Sequence, residues 1–233
     1  MPLDAQQTHA HFPAGGPVQN ARLMLLRGSG GDGGTYFLNS KEHIAGRSHG
    51  MILFPDDRAV SPEHANFYFR DGRLYLSDLG SANGTFIRLR APIPLESGDR
   101  FVCGEQMFEF EKLNTAPQAH WQHGVCYCGS APLWKWHYQI RQILSWEREG
   151  IVRSIGSEPF TIGRDDCTLT FPQDRFISQH HACITTKNDP NPDPVLVDTE
   201  SKNGTYYRIR QEVGLKNGDY LFIGKQLIRV ELR

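Results

Sequence analysis

The sequence predicts an all-β protein built of two β-sandwiches in tandem, joined by an aromatic-rich linker. Three observations support this fold class. The chain of 233 residues contains an internal repeat. Each copy of the repeat consists of short apolar or alternating runs separated by turn residues, and neither copy holds a convincing helical period. At this length each half can bury a core of its own, so we expect one sandwich per copy.

The repeat becomes visible when the sequence is aligned with itself. At an offset of 117 residues, matching motifs include Gly46-Arg47 with Gly163-Arg164 and Ser61 with Ser178. Further along the chain the offset becomes 120, because the segment KNDPNPDP (187–194) replaces a tight turn of the first copy. An insertion confined to a polar turn is typical of a duplicated domain.

Within each copy the predicted strands come in hairpins. HANFYF and LYLSDL flank Arg70-Asp71-Gly72-Arg73, where the Asp-Gly pair supplies the positive φ that a chain reversal needs. RFVCG with MFEFE, and YLFIG with LIRVEL, are similar pairs of short runs that follow a Gly-Asp turn. We place the first domain at 21–112 and the second at 137–233, with a disordered tail over 1–20 and a linker over 113–136.

The composition excludes several classes of function. Lys and Arg total 25 against 26 Asp and Glu, so no strong net field favours nucleic acid or an anionic membrane. The chain has no apolar run of membrane-spanning length, and its first residues lack the pattern of a signal peptide. Five cysteines, an odd number, fit reduced thiols better than a disulfide framework. We expect a soluble, cytoplasmic protein that binds neither nucleic acid nor membrane.

The motifs of each copy follow one order, which is Gly-Arg, Ser-x-x-His, Asn-Gly-Thr, then Leu-x-x-Gly-Asp and a further Gly. In this order and spacing they resemble the forkhead-associated (FHA) domain, here in tandem. The resemblance covers both copies but neither the N-terminal tail nor the linker. It implies β-sandwiches whose loops, gathered at one end, bind phosphothreonine peptides without catalysing a reaction.

The chemistry of the motif residues favours the same function. A phosphate dianion is best held by the planar fork of an arginine, and a serine hydroxyl adds a further donor. An asparagine offers both a donor and an acceptor to the main chain of an extended peptide. The candidate phosphopeptide ligands are therefore Arg47, Ser61 and Asn83 in the first copy, and Arg164, Ser178 and Asn203 in the second.

The resemblance also implies residues that support the loops. It gives the histidines a structural role, bracing the serine loop, and the glycines of the Gly-Arg motif a role in keeping the arginine loop compact. Together with the glycines of Asn-Gly-Thr, the supporting residues are Gly46, His64, Gly84, Gly163, His181 and Gly204.

The two copies differ beside the serine and the asparagine, where family members often carry polar or basic residues that touch the ligand. The second copy has Gln179 and Lys202 there, and we count both as candidate ligands. The first copy has Pro62 and Ala82, which offer no side-chain donor. We therefore expect the first copy to bind the same class of ligand more weakly.

Each signal has an alternative. Asn-Gly is a common hairpin turn, so Asn83 and Asn203 could simply reverse the chain. The spacing of Ser-x-x-His does not suggest a hydrolytic triad, and no nucleophile elbow accompanies it, so we expect no enzyme. Two functions remain open. The first is an adaptor that binds phosphothreonine proteins of a serine/threonine kinase pathway, and the second is a phosphate-independent assembly module.

The linker holds the one candidate for metal chemistry, the four side chains His120, His123, Cys126 and Cys128. Their spacing does not follow the usual zinc pattern and would require a very tight loop, so we expect no metal and no other cofactor. The alternative is that the apolar linker residues pack across both sandwiches. These residues are Trp121, Val125, Tyr127, Leu133, Trp134 and Trp136.

Overall fold

The computed structural model describes residues 21–26, 32–113, 121–126, 138–156, 159–186 and 193–232. Within these ranges the secondary structure is almost entirely β, with a single 3-10 turn over Ser145–Glu147 and no α-helix. The predicted all-β fold class is therefore confirmed. None of the helical structure in these ranges is long or apolar enough to cross a membrane.

Equivalent strands follow one another in the two repeats. The first repeat contributes β1 (Ala21–Leu26), β2 (Asp32–Leu38), β3 (Glu42–Gly46), β4 (Ile52–Leu53), β5 (Ala65–Arg70), β6 (Arg73–Asp78), β7 (Thr85–Arg88), β8 (Ile93–Pro94), β9 (Arg100–Cys103) and β10 (Gln106–Lys112). In the linker lie β11 (Trp121–Gln122) and β12 (Val125–Cys126). The second repeat contributes β13 (Tyr138–Ile143), β14 (Glu149–Ile155), β15 (Phe160–Gly163), β16 (Leu169–Thr170), β17 (Ala182–Thr186), β18 (Pro194–Asp198), β19 (Thr205–Arg208), β20 (Val213–Gly214), β21 (Tyr220–Ile223) and β22 (Gln226–Leu232).

The predicted hairpins are confirmed. Strands β5 and β6 pair as far as Arg70 opposite Arg73, and the turn residues Asp71 and Gly72 have φ values of 50° and 72°. Strands β9 and β10 pair in the same way, as do β21 and β22. These pairings are local in sequence, so the turn residues between the strands are enough to specify them.

The strands of the two repeats are exchanged at the C-terminal end of each repeat. One five-stranded sheet has the order β20-β6-β5-β3-β4, and the other has the order β16-β15-β17-β18-β8. The remaining strands form a ten-stranded sheet, in which β7, β21, β22, β1 and β2 follow one another. Strands β1 to β7 therefore form a sandwich with β20 to β22, which we call sandwich 1. Strands β13 to β19 form sandwich 2 with β8 to β10.

The two hydrophobic cores show the same exchange. In the core of sandwich 1, Leu23 and Phe67 of the first repeat are packed with Leu221 and Val230 of the second. In the core of sandwich 2, Phe101, Phe108 and Phe110 of the first repeat are packed with buried residues of the second, such as Ile140 and Leu196. Burial of apolar surface is the dominant favourable term in folding, so neither sandwich is complete without the other repeat.

This exchange corrects the predicted assignment of one sandwich to 21–112 and one to 137–233. The repeats have those bounds in the sequence, but the strand pairings and the cores do not follow them. Strand β1 pairs along its whole length with β22, and β10 pairs with β13. The tail over 1–20 and most of the linker over 113–136 lie outside the described residues, so the predictions made for them stay predictions.

The exchange begins directly after β7 and β19. The two strands run on past each other, and the ladder between them extends through Leu89 and Ile209, whose amides donate to the carbonyls of Thr205 and Thr85. These backbone bonds join the two repeats and hold the exchanged path.

The two repeats are related by a pseudo-two-fold axis through the β7/β19 pair. Ile87 and Tyr207 are equivalent in the repeat and stand directly opposite each other in the antiparallel ladder. The contacts around this pair come in matched sets. Arg90 donates through Nε to Asp219 at 2.7 Å, and Arg210 donates in the same way to Asp99 at 2.6 Å. Such reciprocal contacts are what two-fold symmetry requires.

Candidate functional site

Each sandwich carries one set of the candidate ligands, and the exchange of strands leaves both sets intact. Arg47, Ser61 and Asn83 all belong to the part of the first repeat that forms sandwich 1. Their counterparts in the second repeat all belong to sandwich 2. We call these groups site 1 and site 2.

The arginine of each site is tied to the serine loop through its backbone. The amide of Arg47 donates to the carbonyl of Ser61, and the amide of Arg164 donates to that of Ser178, both at 2.9 Å. The preceding glycine makes this close approach possible. A Cβ on Gly46 would lie 2.1 Å from the carbonyl oxygen of Pro62, a distance that no side chain tolerates.

The guanidinium groups of Arg47 and Arg164 have no hydrogen bond or ion pair to any residue within the described ranges. Arg164 is exposed and Arg47 is partly exposed. An arginine that is held by its backbone and has a free side chain at a loop can present its fork of donors to an anion.

A buried histidine connects the serine loop to the Asn-Gly-Thr loop. His64 accepts the amide of Ser61 at Nδ1 over 3.0 Å. Because Nδ1 accepts, the proton lies on Nε2, which donates to the carbonyl of Gly84 at 3.1 Å. His181 makes the equivalent bonds to Ser178 and Gly204, at 2.9 and 3.2 Å. Desolvation by burial lowers the pKa of both histidines, which favours this neutral form.

The serine hydroxyls and the asparagine amides are held in matching positions. The Oγ atoms of Ser61 and Ser178 each accept a backbone amide at 3.0 Å, from Ala82 and Lys202. A hydroxyl that accepts in this way can still donate its own hydrogen to a phosphate.

The side-chain amide of Asn83 donates to the carbonyl of Ala59 at 2.8 Å, and that of Asn203 donates to Phe176 at 2.7 Å. These bonds orient each side chain and use one of its donors. The carbonyl Oδ1 and the second amide hydrogen remain for a peptide main chain.

The Asn-Gly-Thr loops are shaped by aspartates to which the sequence analysis assigned no role. Asp78 accepts the hydroxyls of Ser81 and Thr85, each at 2.7 Å, and the amide of Ser81 at 2.8 Å. Burial raises the pKa of Asp78, but the bonds from Thr85 and Ser81 outweigh it, so that the pKa lies below its usual value. Asp198 makes the equivalent bonds in site 2. The same spacing of Asp, Ser and Thr in both repeats was the sequence signal that could have identified these aspartates.

The surroundings of the two sites differ in charge and in bulk. Gln179 and Lys202 are exposed at site 2, as are Pro62 and Ala82 at site 1. The arginine loop of site 2 continues into the exposed acidic pair Asp165-Asp166, where site 1 has Ser48-His49. The sequence analysis did not consider this pair, which places negative charge next to Arg164.

A second missed difference is Phe176, which is 51% exposed although its side chain is large and apolar. Its carbonyl accepts the amide of Asn203, so the ring lies on the loop that leads into Ser178. The equivalent residue of site 1 is Ala59. An exposed aromatic ring beside a polar site is available to contact a ligand side chain.

The exchange places an arginine of each repeat against the binding loop of the other. A Cβ added to Gly204 would lie 2.1 Å from the Nε atom of Arg88. A Cβ added to Gly84 would lie 2.4 Å from the Nε atom of Arg208. Arg88 also lies over the ring of Tyr220, with its Cζ 5.7 Å from the ring centroid. Gly204 and Gly84 have φ values of 85° and 80°. Glycine is therefore required at both positions, because of the turn and because of the neighbouring arginine.

The candidate metal ligands of the linker lie largely outside the described residues. His120 and Cys128 fall outside the ranges, and of Cys126 only the backbone is described. His123 is exposed in the turn between β11 and β12. Within the described ranges no group of three or more His, Cys, Asp or Glu side chains could hold a metal ion.

The chain matches a known protein family. The model of the FHA domain matches residues 43–104 and 160–224, which together make up more than half of the chain. Each matched segment contains one complete set of the motifs described above.

Individual relatives match a smaller part of the chain than the family model does. The chain is 33% identical over 91 residues to the oxoglutarate dehydrogenase inhibitor of Corynebacterium efficiens, a match that covers 38% of this chain and 63% of the relative. It is 34% identical over 92 residues to the glycogen accumulation regulator GarA of Mycolicibacterium smegmatis, covering 38% and 57%. The match thus spans less than two thirds of either relative.

Two similar solved structures cover most of the chain. One was described in a structural and functional analysis of phosphothreonine-dependent FHA domain interactions, with a TM-score of 0.35 and 16% identity over 92% of this chain and 97% of that chain. The other is the FHA domain of the CT664 protein from Chlamydia trachomatis, with a TM-score of 0.37 and 11% identity over 91% and 96%.

Proposed function

Because this chain belongs to the FHA domain family, with two copies in tandem, we propose that it is a non-catalytic, cytoplasmic adaptor that binds phosphothreonine peptides in serine/threonine kinase signalling. The carrying observation is the arrangement of site 2. There the free guanidinium of Arg164, the hydroxyl of Ser178 and the oriented amide of Asn203 are held on loops of a rigid sandwich.

Each group of the site has a role in this proposal. Arg164 forms a bidentate pair with the phosphate, and Ser178 donates its hydroxyl hydrogen to a third phosphate oxygen. Asn203 brackets the peptide main chain with its carbonyl and its remaining amide hydrogen. Gln179 and Lys202 add donors at the edge of the site. In this proposal the phosphate is bound and not cleaved.

The partner is a phosphothreonine-containing protein that is a substrate or a member of a kinase pathway. Two of the relatives are named for regulation, as an inhibitor of oxoglutarate dehydrogenase and as a regulator of glycogen accumulation. In our proposal this chain also has a regulatory role, which it exerts through the protein that it binds.

Calorimetry with a phosphothreonine peptide selected from an oriented library tests this function. We expect binding that is lost with the unphosphorylated peptide. We expect Arg164→Ala to weaken binding to site 2 at least about tenfold, since each charge-assisted hydrogen bond contributes about 1.5 to 3 kcal/mol. Arg73→Ala is the matched control, because Arg73 is exposed in the β5–β6 turn, at the opposite end of these strands from site 1. Equal affinity for both forms of the peptide would favour the phosphate-independent assembly module instead.

A further inference from the structure

The two binding sites lie at opposite ends of one rigid strand pair. Asn83 and Gly84 directly precede β7, and Asn203 and Gly204 directly precede β19. Strands β7 and β19 are antiparallel neighbours, with Arg88 opposite Tyr206 and Phe86 opposite Arg208. In an antiparallel pair the beginnings of the two strands are at opposite ends. The two sites therefore face away from each other.

The register of this pair also sets the spacing of the sites. The pairing continues through the bonds from Leu89 to Thr205 and from Ile209 to Thr85. When the same register is continued past the strand ends, Asn203 lies opposite Ala91. Ala91 is about eight residues along the strand direction from Asn83. At about 3.3 Å per residue the two asparagines are separated by roughly 26 Å along the strand direction. The phosphates bind further out still, because the arginine and serine loops lie beyond the strand ends.

The connection between the sites is not a flexible linker. Strands β7 and β19 lie in the middle of the ten-stranded sheet, and each is paired on both sides, to β21 and β9 as well as to each other. The cross-repeat bonds from Arg90 to Asp219 and from Arg210 to Asp99 hold the two crossing segments. The sheet therefore fixes both the distance and the direction between the sites, whatever the linker between the repeats does.

We infer that this protein bridges two separate phosphothreonine segments, one bound at each end of the molecule, and does not clamp a closely spaced pair of phosphothreonines. The inference rests on the proposed function and specifies how the phosphothreonines of the partner must be spaced. An extended peptide spans at most about 3.3 to 3.6 Å per residue, so two phosphothreonines fewer than about eight residues apart cannot reach both sites. The fitting partners are two phosphorylated chains, or two phosphorylated segments held far apart.

The first experiment measures energy transfer between two singly phosphorylated peptides, one labelled with a donor and one with an acceptor. We expect transfer when equal amounts of both peptides are mixed with the full chain, because about half of the doubly occupied molecules then hold one of each. We expect Arg47→Ala or Arg164→Ala to abolish the transfer. Arg73→Ala should leave it unchanged. Neither guanidinium group has a partner within the described residues, so removal of these side chains should leave the fold intact, which thermal melting checks.

The second experiment compares doubly phosphorylated peptides with spacers of five and of thirty residues. The short spacer should give no more than about a twofold statistical gain over the singly phosphorylated peptide. The long spacer should give a gain of about tenfold or more that either arginine variant removes, because the second engagement is then intramolecular.

The possible failures are distinguishable. A large gain for the short spacer that depends on both arginines would overturn the bridging inference and leave the proposed function in place. Binding of the singly phosphorylated peptide at one site per chain, without energy transfer, would also overturn the bridging inference and leave the proposed function in place. If the singly phosphorylated peptide does not bind at all, the proposed function itself is wrong.

Discussion

The carboxylate of Asp57 accepts the backbone amide of Lys225 at 2.8 Å, although the two residues lie in different repeats. The same carboxylate accepts the side-chain amide of Gln226 at 2.6 Å and the amide of Ala59 at 3.0 Å. Ala59 is two residues before Ser61 of site 1. Asp57 therefore connects a binding loop of the first repeat to the β21–β22 turn of the second, and Asp174 makes the equivalent connection to Glu105 and Gln106.

The first prediction concerns this connection. We expect Asp57→Ala to lower the free energy of unfolding by about 1 to 3 kcal/mol, because partly buried amides of both repeats lose their acceptor. We also expect weaker binding at site 1, since the loop before Ser61 loses its anchor. Urea unfolding and calorimetry measure the two effects. Asp56→Ala is the matched control, because the neighbouring Asp56 is exposed and should change stability by less than about 0.5 kcal/mol.

The second prediction concerns the exchange of strands. A protease site placed between Gly129 and Ser130 allows the linker to be cut in the folded protein. We expect the two fragments to stay together during size-exclusion chromatography, also at high salt, and to separate only in denaturant. The reason is that β8 to β10 complete the core of sandwich 2 and β20 to β22 complete that of sandwich 1. Fragments that separated under native conditions would show that each repeat closes its own sandwich.

The sequence predicted the local features of this fold and not the exchange, for a physical reason. Strands β10 and β22 are equivalent in the repeat, and each carries an apolar alternation that suits the position beside β1 or the position beside β13. Pattern alone therefore cannot say whether β1 pairs with β10 or with β22. The hairpins could be predicted because their turn residues lie between the paired strands. No such turn connects β1 with β22, because the two strands lie far apart in the sequence.

The candidate sites were predictable to a similar extent. The repeated motifs identified the arginine, serine and asparagine of each site, and the structure brings these three together on neighbouring loops. It could not be seen from the motifs that Arg88 lies against Gly204, because that contact depends on the exchange. The Gly-Asp turn that occurs in both repeats also joins them, since Asp99 and Asp219 each accept bonds from an arginine of the other repeat.

The third prediction compares two ion pairs that both join the repeats. Asp219 is buried, and it accepts two bonds from Arg90. We expect Arg90→Ala to cost about 1 to 3 kcal/mol of stability, because a buried carboxylate loses its partner while Arg90 itself is only partly buried. Arg70→Ala is the control, since Arg70 and Glu212 are 48% and 40% exposed. Urea unfolding should show that Arg70→Ala lowers the free energy of unfolding by at most about 1 kcal/mol. Equal losses would contradict the role of burial.

The fourth prediction is a loss of stability in mild acid. Desolvation by burial lowers the pKa values of His43, His64 and His181 below the ordinary value of 6.5. As the pH falls below 6.5 the unfolded chain takes up these protons before the folded chain does. The stabilising contribution is therefore complete above about pH 6.5 and is lost as the pH falls below it, levelling off once the folded histidines are protonated.

Thermal melting between pH 7.5 and pH 5 without ligand measures this dependence, and the absence of ligand avoids the titration of the phosphate itself. We expect His64→Gln with His181→Gln to make the melting temperature less dependent on pH over this range, even though the variant is less stable overall. His180→Gln is the control, because His180 is exposed. An unchanged pH dependence in the double variant would assign the effect to other groups. The carboxylates Asp78 and Glu109 titrate in a separate, more acidic range, since their pKa values are lowered.

The last prediction concerns the difference between the two sites. Ala82 and Lys202 are both exposed, and each donates its backbone amide to the serine of its site at 3.0 Å. A lysine at position 82 should therefore stand beside the phosphate of site 1 in the way that we propose for Lys202 at site 2. We expect Ala82→Lys, measured in an Arg164→Ala background, to raise the affinity of site 1 for a phosphothreonine peptide.

A flexible, exposed lysine should contribute about 1 kcal/mol at such a site, which corresponds to a gain of about fivefold. Lys202→Ala in an Arg47→Ala background should give the reciprocal loss at site 2. Ala82→Met is the control for length without charge and should leave the affinity unchanged. Calorimetry with phosphorylated and unphosphorylated peptide separates a phosphate contact from a general gain in positive charge. If Ala82→Lys has no effect, the weaker binding expected of site 1 cannot be attributed to missing donors, and the acidic pair Asp165-Asp166 beside Arg164 then becomes the difference to test next.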